Sequence, residues 1–191
     1  MRRTRNGGPA AYPRDVDLTS FERIVADGYL DDIESLPLAD LRARRAECQA
    51  VEDSLSYLRR LVQGRLDIVH AEIDRRASGA PSDLASLVAA LPSILSSHVA
   101  GGSGNRLTLA QAPVDDPTMT AELDTCCPPE RLGELPSLPP DTLDTIAADL
   151  TALERVVSVR RRQSFDRLDA LSGELARRYR TGEATVDSLL N

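Results

Sequence analysis

Apolar residues recur at intervals of three and four over two long stretches of the chain. The first reads Leu41, Cys48, Val51, Leu55, Leu58, Val62, Leu66, Val69 and Ile73. The second reads Leu143, Ile146, Leu150, Leu153 and Val157, weakens at Arg160 and Ser164, and resumes at Leu168, Leu171 and Leu175. This spacing predicts two long helices, each with the narrow apolar seam of a coiled coil. Pro37 suits the first turn of the first helix with Ser35 as its cap, and Gly79 and Pro81 stop it. The second opens after Pro139 and Pro140 and ends ahead of Gly182. Each would be about 60 Å long, and neither can bury so thin a stripe alone. The expected fold is all-α, an antiparallel two-helix coiled-coil hairpin.

The rest of the chain is organised around that hairpin. Residues 1–17, broken by Gly7, Gly8, Pro9 and Pro13, read as a disordered arm. A short helical segment over 18–35 carries Leu18, Phe21, Ile24 and Val25 on one side. The coiled-coil helices are assigned to 36–78 and 140–180, with a tail from 181 to 191. Between the helices, 79–139 reads as a long linker. Its beginning, 84–97, is amphipathic enough for a short helix, and the stretch from Gly101 to Pro140 reads as mostly flexible.

A polar pattern overlies the seam. Glu52, Ser56, Arg59, Gln63 and Asp67 stand at the spacing E-x3-S-x2-R-x3-Q-x3-D. About a hundred residues later Glu154, Ser158, Arg161 and Asp169 repeat every interval, with Phe165 where the first copy has glutamine. At 100° per residue the first five residues share an arc of about 80°. Most charged stripes are solvated faces, but this one occurs twice. In both helices the seam lies at the same offset and on the same side of the stripe. A parallel pair would put the stripes on opposite faces; an antiparallel pair puts both on one. The hairpin would then present a pseudo-symmetric polar surface suited to a two-fold symmetric ligand.

Composition narrows the classes. The net charge is −7 and every one of the 23 basic residues is arginine. That balance argues against direct DNA binding, which rests on neutralising phosphates, while arginine supplies flat, forked donors. Cys48 sits on the seam as a small hydrophobe; Cys126 and Cys127 have neither a Cys-x-x-Cys spacing nor a histidine partner, so no metal is expected. No disulfide framework and no apolar run of membrane length are visible, which places the chain in the cytoplasm and off the membrane. His70 and His98 lie near no nucleophile motif, and Gly101-Gly102-Ser103-Gly104 lacks the lysine of a phosphate loop, so an enzyme is not expected.

The stripe chemistry admits a guanine nucleotide. Arginine reaches guanine O6 and N7 with two parallel bonds, stacks on bases or pairs with phosphate. Glu52 and Asp67 can accept from the guanine N1 and N2 edge, and Ser56 and Gln63 can bridge phosphate or ribose. Acids alternating with arginine suit base edges and phosphates read together.

The doubled stripe on a two-helix coiled coil resembles the RsiG family, over about 36–78 and 140–180. These are anti-sigma factors of filamentous, sporulating bacteria. The resemblance implies that cyclic di-GMP, as two molecules of regulatory ligand, is held by Glu52, Ser56, Arg59, Gln63, Asp67, Glu154, Ser158, Arg161 and Asp169. It implies too that the partner is a WhiG-like sporulation sigma factor, released when the nucleotide falls. Phe165 departs from the pattern. Arg155, Arg160, Arg162 and Arg167 are expected to add positive potential for the phosphates. The competing reading is a coiled-coil adaptor protein whose stripes bind no nucleotide.

Overall fold

The computed structural model describes residues 18–79, 84–96 and 117–183. The arm at 1–17, most of the stretch read as flexible linker and the last eight residues of the tail lie outside the described residues. Helix α1 spans Leu18–Val25, α2 Leu38–Ala77, α3 Leu84–Ser96, α4 Pro117–Cys126, α5 Pro129–Glu134 and α6 Pro140–Thr181. A 3-10 turn over Leu135–Ser137 joins α5 to α6. All regular structure among the described residues is helical, and α2 and α6, of 40 and 42 residues, pack along each other as a hairpin.

The seam residues pack into two adjoining cores. In one, Leu58, Val62 and Val69 of α2 meet Leu143, Ile146, Leu150, Leu153 and Val157 of α6. In the other, Leu41, Cys48, Val51 and Leu55 meet Leu168, Leu171 and Leu175. Ser164, where the apolar seam weakens, is fully buried, and its hydroxyl donates to the Arg160 carbonyl at 3.0 Å. A polar residue is tolerated there because the preceding helical turn accepts its proton.

The linker expectation gives way over 117–137, where α4, α5 and the 3-10 turn form and pack on the hairpin. Leu123, Cys127 and Leu135 are fully buried in the first core. On the opposite end α1 contributes Ile24, also fully buried, to the second. Proline density and a near absence of apolar periodicity conceal this segment: Leu123 alone anchors α4 and Leu135 the 3-10 turn, while α5 contributes only the partly buried Leu132.

Neither long helix is capped by a side chain. Pro37 and Pro139 occupy the N-cap positions without a side-chain cap bond, and Ser35, expected as a cap, instead donates to the Asp32 carbonyl at 2.9 Å. The approach to each helix is held from the other helix. Arg178 Nη1 donates to the Leu36 carbonyl at 2.6 Å and Nη2 to those of Ile33 and Glu34, both at 2.9 Å. Arg76 Nη1 donates to Leu138 at 2.8 Å and Nη2 to Leu135 at 2.6 Å. These contacts obey the interval separating Glu52 from Glu154: Arg76 answers to Arg178, Leu135 to Ile33, Leu138 to Leu36. Glu72 with Arg75 and Arg76, and Glu174 with Arg177 and Arg178, are the matching ion clusters that aim these guanidinia. The chain is thus two similar halves, each a short approach segment and one long helix, embracing about a pseudo-two-fold axis.

Candidate functional site

Antiparallel pairing brings the two polar stripes onto one face, as the seam offset predicts. The helices are joined there by crossed bonds. Arg59 Nε of α2 donates to Glu154 Oε1 at 2.9 Å and to Ser158 Oγ at 3.0 Å, both on α6. In the mirrored position Arg161 Nη1 of α6 donates to Glu52 Oε1 of α2 at 3.1 Å. Each serine donates to the glutamate one turn before it, Ser56 to Glu52 at 2.8 Å and Ser158 to Glu154 at 3.0 Å. The i, i+4 spacing of glutamate and serine places them one above the other on the helix.

The two halves of the face differ. Glu154 Oε1 gathers a third donor, Gln63 Nε2 at 3.2 Å. Burial works to raise the Glu154 carboxyl pKa, but the bonds from Arg59, Ser158 and Gln63 and the Arg59 charge outweigh it and hold it below the usual range. At the equivalent place on α6 stands Phe165, which has no proton to give Glu52. Its ring is 45% exposed, with the Arg162 guanidinium 5.9 Å from its centroid.

Asp67 and Asp169 stand eight residues beyond the arginine of their own helix, about 12 Å further along the axis. Antiparallel helices therefore carry them to opposite ends of the face. Asp67 is half-buried and Asp169 exposed. The structure brings Glu52, Ser56, Arg59, Gln63, Glu154, Ser158 and Arg161 together at the centre and sets the aspartates as flanks. Arg59 and Arg161 keep 37% and 40% of their side-chain surface exposed, so the guanidinia remain within reach of a solute. Each Arg–Glu pair is neutral, and Asp67 and Asp169 place a carboxylate toward each end of the face.

Of the arginines expected to add positive potential, two point elsewhere. Arg160 forms a forked pair with Glu122 of α4 at 2.8 and 3.1 Å, and Arg167 donates to the Val25 carbonyl at 3.4 Å. They lie roughly 140° and roughly 160° around α6 from the centre of the stripe. On α2, Arg65 reaches Asp124 of α4 at 2.8 Å and the Cys127 carbonyl, and Glu47 takes Arg23 of α1 at 2.7 Å. The back of the hairpin is thus covered by α1, which the apolar spacing indicated, and by α4, which it did not. Arg155 and Arg162 are exposed, and Arg162 pairs with Asp166 at 3.0 Å. The recurrence of Glu-x2-Arg-Arg at 72–76 and 174–178 was the sequence signal that could have revealed the second set of symmetric contacts.

Among the described residues no cluster of histidine, cysteine and acidic groups is arranged to hold a metal ion, and no helix is long and apolar enough to cross a membrane. Burial pushes the thiol pKa of Cys48, Cys126 and Cys127 upward.

A protein-family model described as RsiG-like matches residues 27–95 and 129–191. The two matched segments begin at Asp27 and Pro129, the same interval apart as the stripes, and each runs from an approach segment into its long helix. No curated protein matches the chain.

Proposed function

Because this chain belongs to the RsiG-like family, a membership that indicates a regulator of the anti-sigma-factor type with a sigma-factor partner, we propose that its polar face binds cyclic di-GMP and that the loaded hairpin sequesters a WhiG-like sporulation sigma factor. The observation that carries the reading is the crossed pairing of the stripes. Arg59 meets Glu154 while Arg161 meets Glu52, so donors and acceptors stand about a pseudo-two-fold axis. A two-fold dinucleotide presents guanine edges and phosphates with matching symmetry. The arginines supply charge-assisted bonds to phosphate or to guanine O6 and N7, and the carboxylates accept from the guanine N1 and N2 edge.

Binding would exchange partners rather than fill a vacant site. Each guanidinium leaves or shares its glutamate when it takes up the ligand, and the freed carboxylate gains a base edge. Nucleotide bridging both helices would complete a surface for the sigma factor. By linkage, the sigma factor then tightens nucleotide binding by the same factor. Falling cyclic di-GMP releases the sigma factor.

Size-exclusion chromatography of the purified chain with the sigma factor tests this. Co-elution with cyclic di-GMP and separate elution without it is the expected result. Equal co-elution in both conditions would remove the nucleotide from the account and leave the adaptor reading.

A further inference from the structure

We propose that Phe165 is a stacking seat for one base of the bound nucleotide, so that the two halves of the polar face grip their ligand unequally. The inference rests on the nucleotide reading above. The chain has two phenylalanines and no tryptophan. Phe21 packs against the core shared by α1, α2 and α6, whereas Phe165 is 45% exposed in the middle of a polar stripe. It occupies the place that corresponds to Gln63. Gln63 reaches across to α6 and closes its half of the face on Glu154 Oε1 at 3.2 Å. Phenylalanine cannot make that bond, and among the described residues Glu52 Oε1 receives Ser56 and Arg161. One half is drawn shut by an amide; the other trades that bond for an exposed ring.

What surrounds the ring favours a nucleobase over an apolar side chain of a protein. Arg162 lies 5.9 Å from the ring centroid and Arg161 is the next residue along. A base stacked on Phe165 would bring its phosphates beside two guanidinia, which pair with phosphate and also stack on planar rings. A buried aliphatic partner would have to desolvate the same two guanidinia together with their carboxylate partners, Glu52 and Asp166, and would offer no charge-assisted bond in return. Stacking on an aromatic side chain tightens nucleic-acid binding by roughly ten-fold or more per base.

The two phenylalanines give a direct readout. Full-length chain labelled with 4-fluorophenylalanine has two fluorine resonances, and Phe165→Leu identifies which belongs to Phe165. On titration with cyclic di-GMP the Phe165 resonance is expected to move and saturate with the calorimetric isotherm while that of Phe21 stays in place. Phe165→Leu should bind roughly ten-fold more weakly, and Phe165→Tyr should restore the affinity. Saturable binding with an unmoved Phe165 resonance and an unaffected Leu variant would overturn the seat and leave the nucleotide reading intact. A resonance that moves only on adding sigma factor without nucleotide would overturn it in favour of a protein contact. Absence of nucleotide binding, with and without sigma factor, would overturn both.

Discussion

Arg59 and Glu154 lie 95 residues apart in sequence and meet across the hairpin at 2.9 Å. The pair is part-exposed, and such ion pairs contribute little to folding, on the order of 0.5 kcal/mol. Their value lies in holding a guanidinium and a carboxylate ready on the shared face. Arg59→Ala and Arg161→Ala are therefore expected to keep helical circular dichroism and a near wild-type melting temperature. Both should lose nucleotide binding by a hundred-fold or more, because charge-assisted bonds to phosphate or base disappear. Calorimetry beside thermal melts checks this; wild-type isotherms from both variants would contradict it.

Arg178 behaves differently. It is buried, bonds Glu174 Oε1 at 2.7 Å and holds three carbonyls of the approach to α2. Arg178→Ala leaves those acceptors unmatched and takes from the buried Glu174 carboxylate one of its two arginine partners, Arg177 remaining, at a cost on the order of 3 kcal/mol. Denaturant melts should show the loss, while nucleotide affinity measured below the transition stays within a few-fold of wild type, since the residue does not belong to the polar face.

Acid should reveal the same clamp. Hydrogen bonds from Arg177 and Arg178 hold the Glu174 carboxyl at about 2, against an ordinary 4.5. A carboxyl whose folded pKa is depressed stabilises the fold above its unfolded pKa and loses that contribution as pH falls through the folded value. The window runs from about pH 4.5 down to about pH 2. Glu174→Gln should be less stable than wild type at pH 7, and the gap in melting temperature should close across that window. A gap that stays constant with pH would show that the ion cluster contributes nothing.

Leu123 separates a packed helix from a linker. It is fully buried against the first core. Leu123→Ala should cost about 3 kcal/mol from lost transfer energy and the cavity left behind, measurable by urea denaturation. Deletions that extend into α4 should behave like Leu123→Ala.

The residues show why some features were legible in the sequence and others were not. The seam and stripe are side-chain patterns with helical period, so Leu55, Val157, Glu52 and Glu154 declare their faces directly. Their common offset was enough to place both stripes on one side of an antiparallel pair. The approach segments are different. Arg76 and Arg178 bind backbone carbonyls, which carry no residue identity, and Leu123 alone marks no periodicity, whereas Ile24 stood with Phe21 and Val25 in an apolar group that the sequence did show. Arg160 and Arg167 are near the second stripe in sequence but face the back of the hairpin, because positions adjacent in sequence are not adjacent on a helix.

Calorimetric titration of the purified chain with cyclic di-GMP, alone and with the sigma factor present, bears most directly on the central claim, with cyclic di-AMP as control. The account predicts saturable binding of the guanine nucleotide only, tighter when the sigma factor is added. No heat from cyclic di-GMP in either condition, or equal binding of the adenine form, would contradict it.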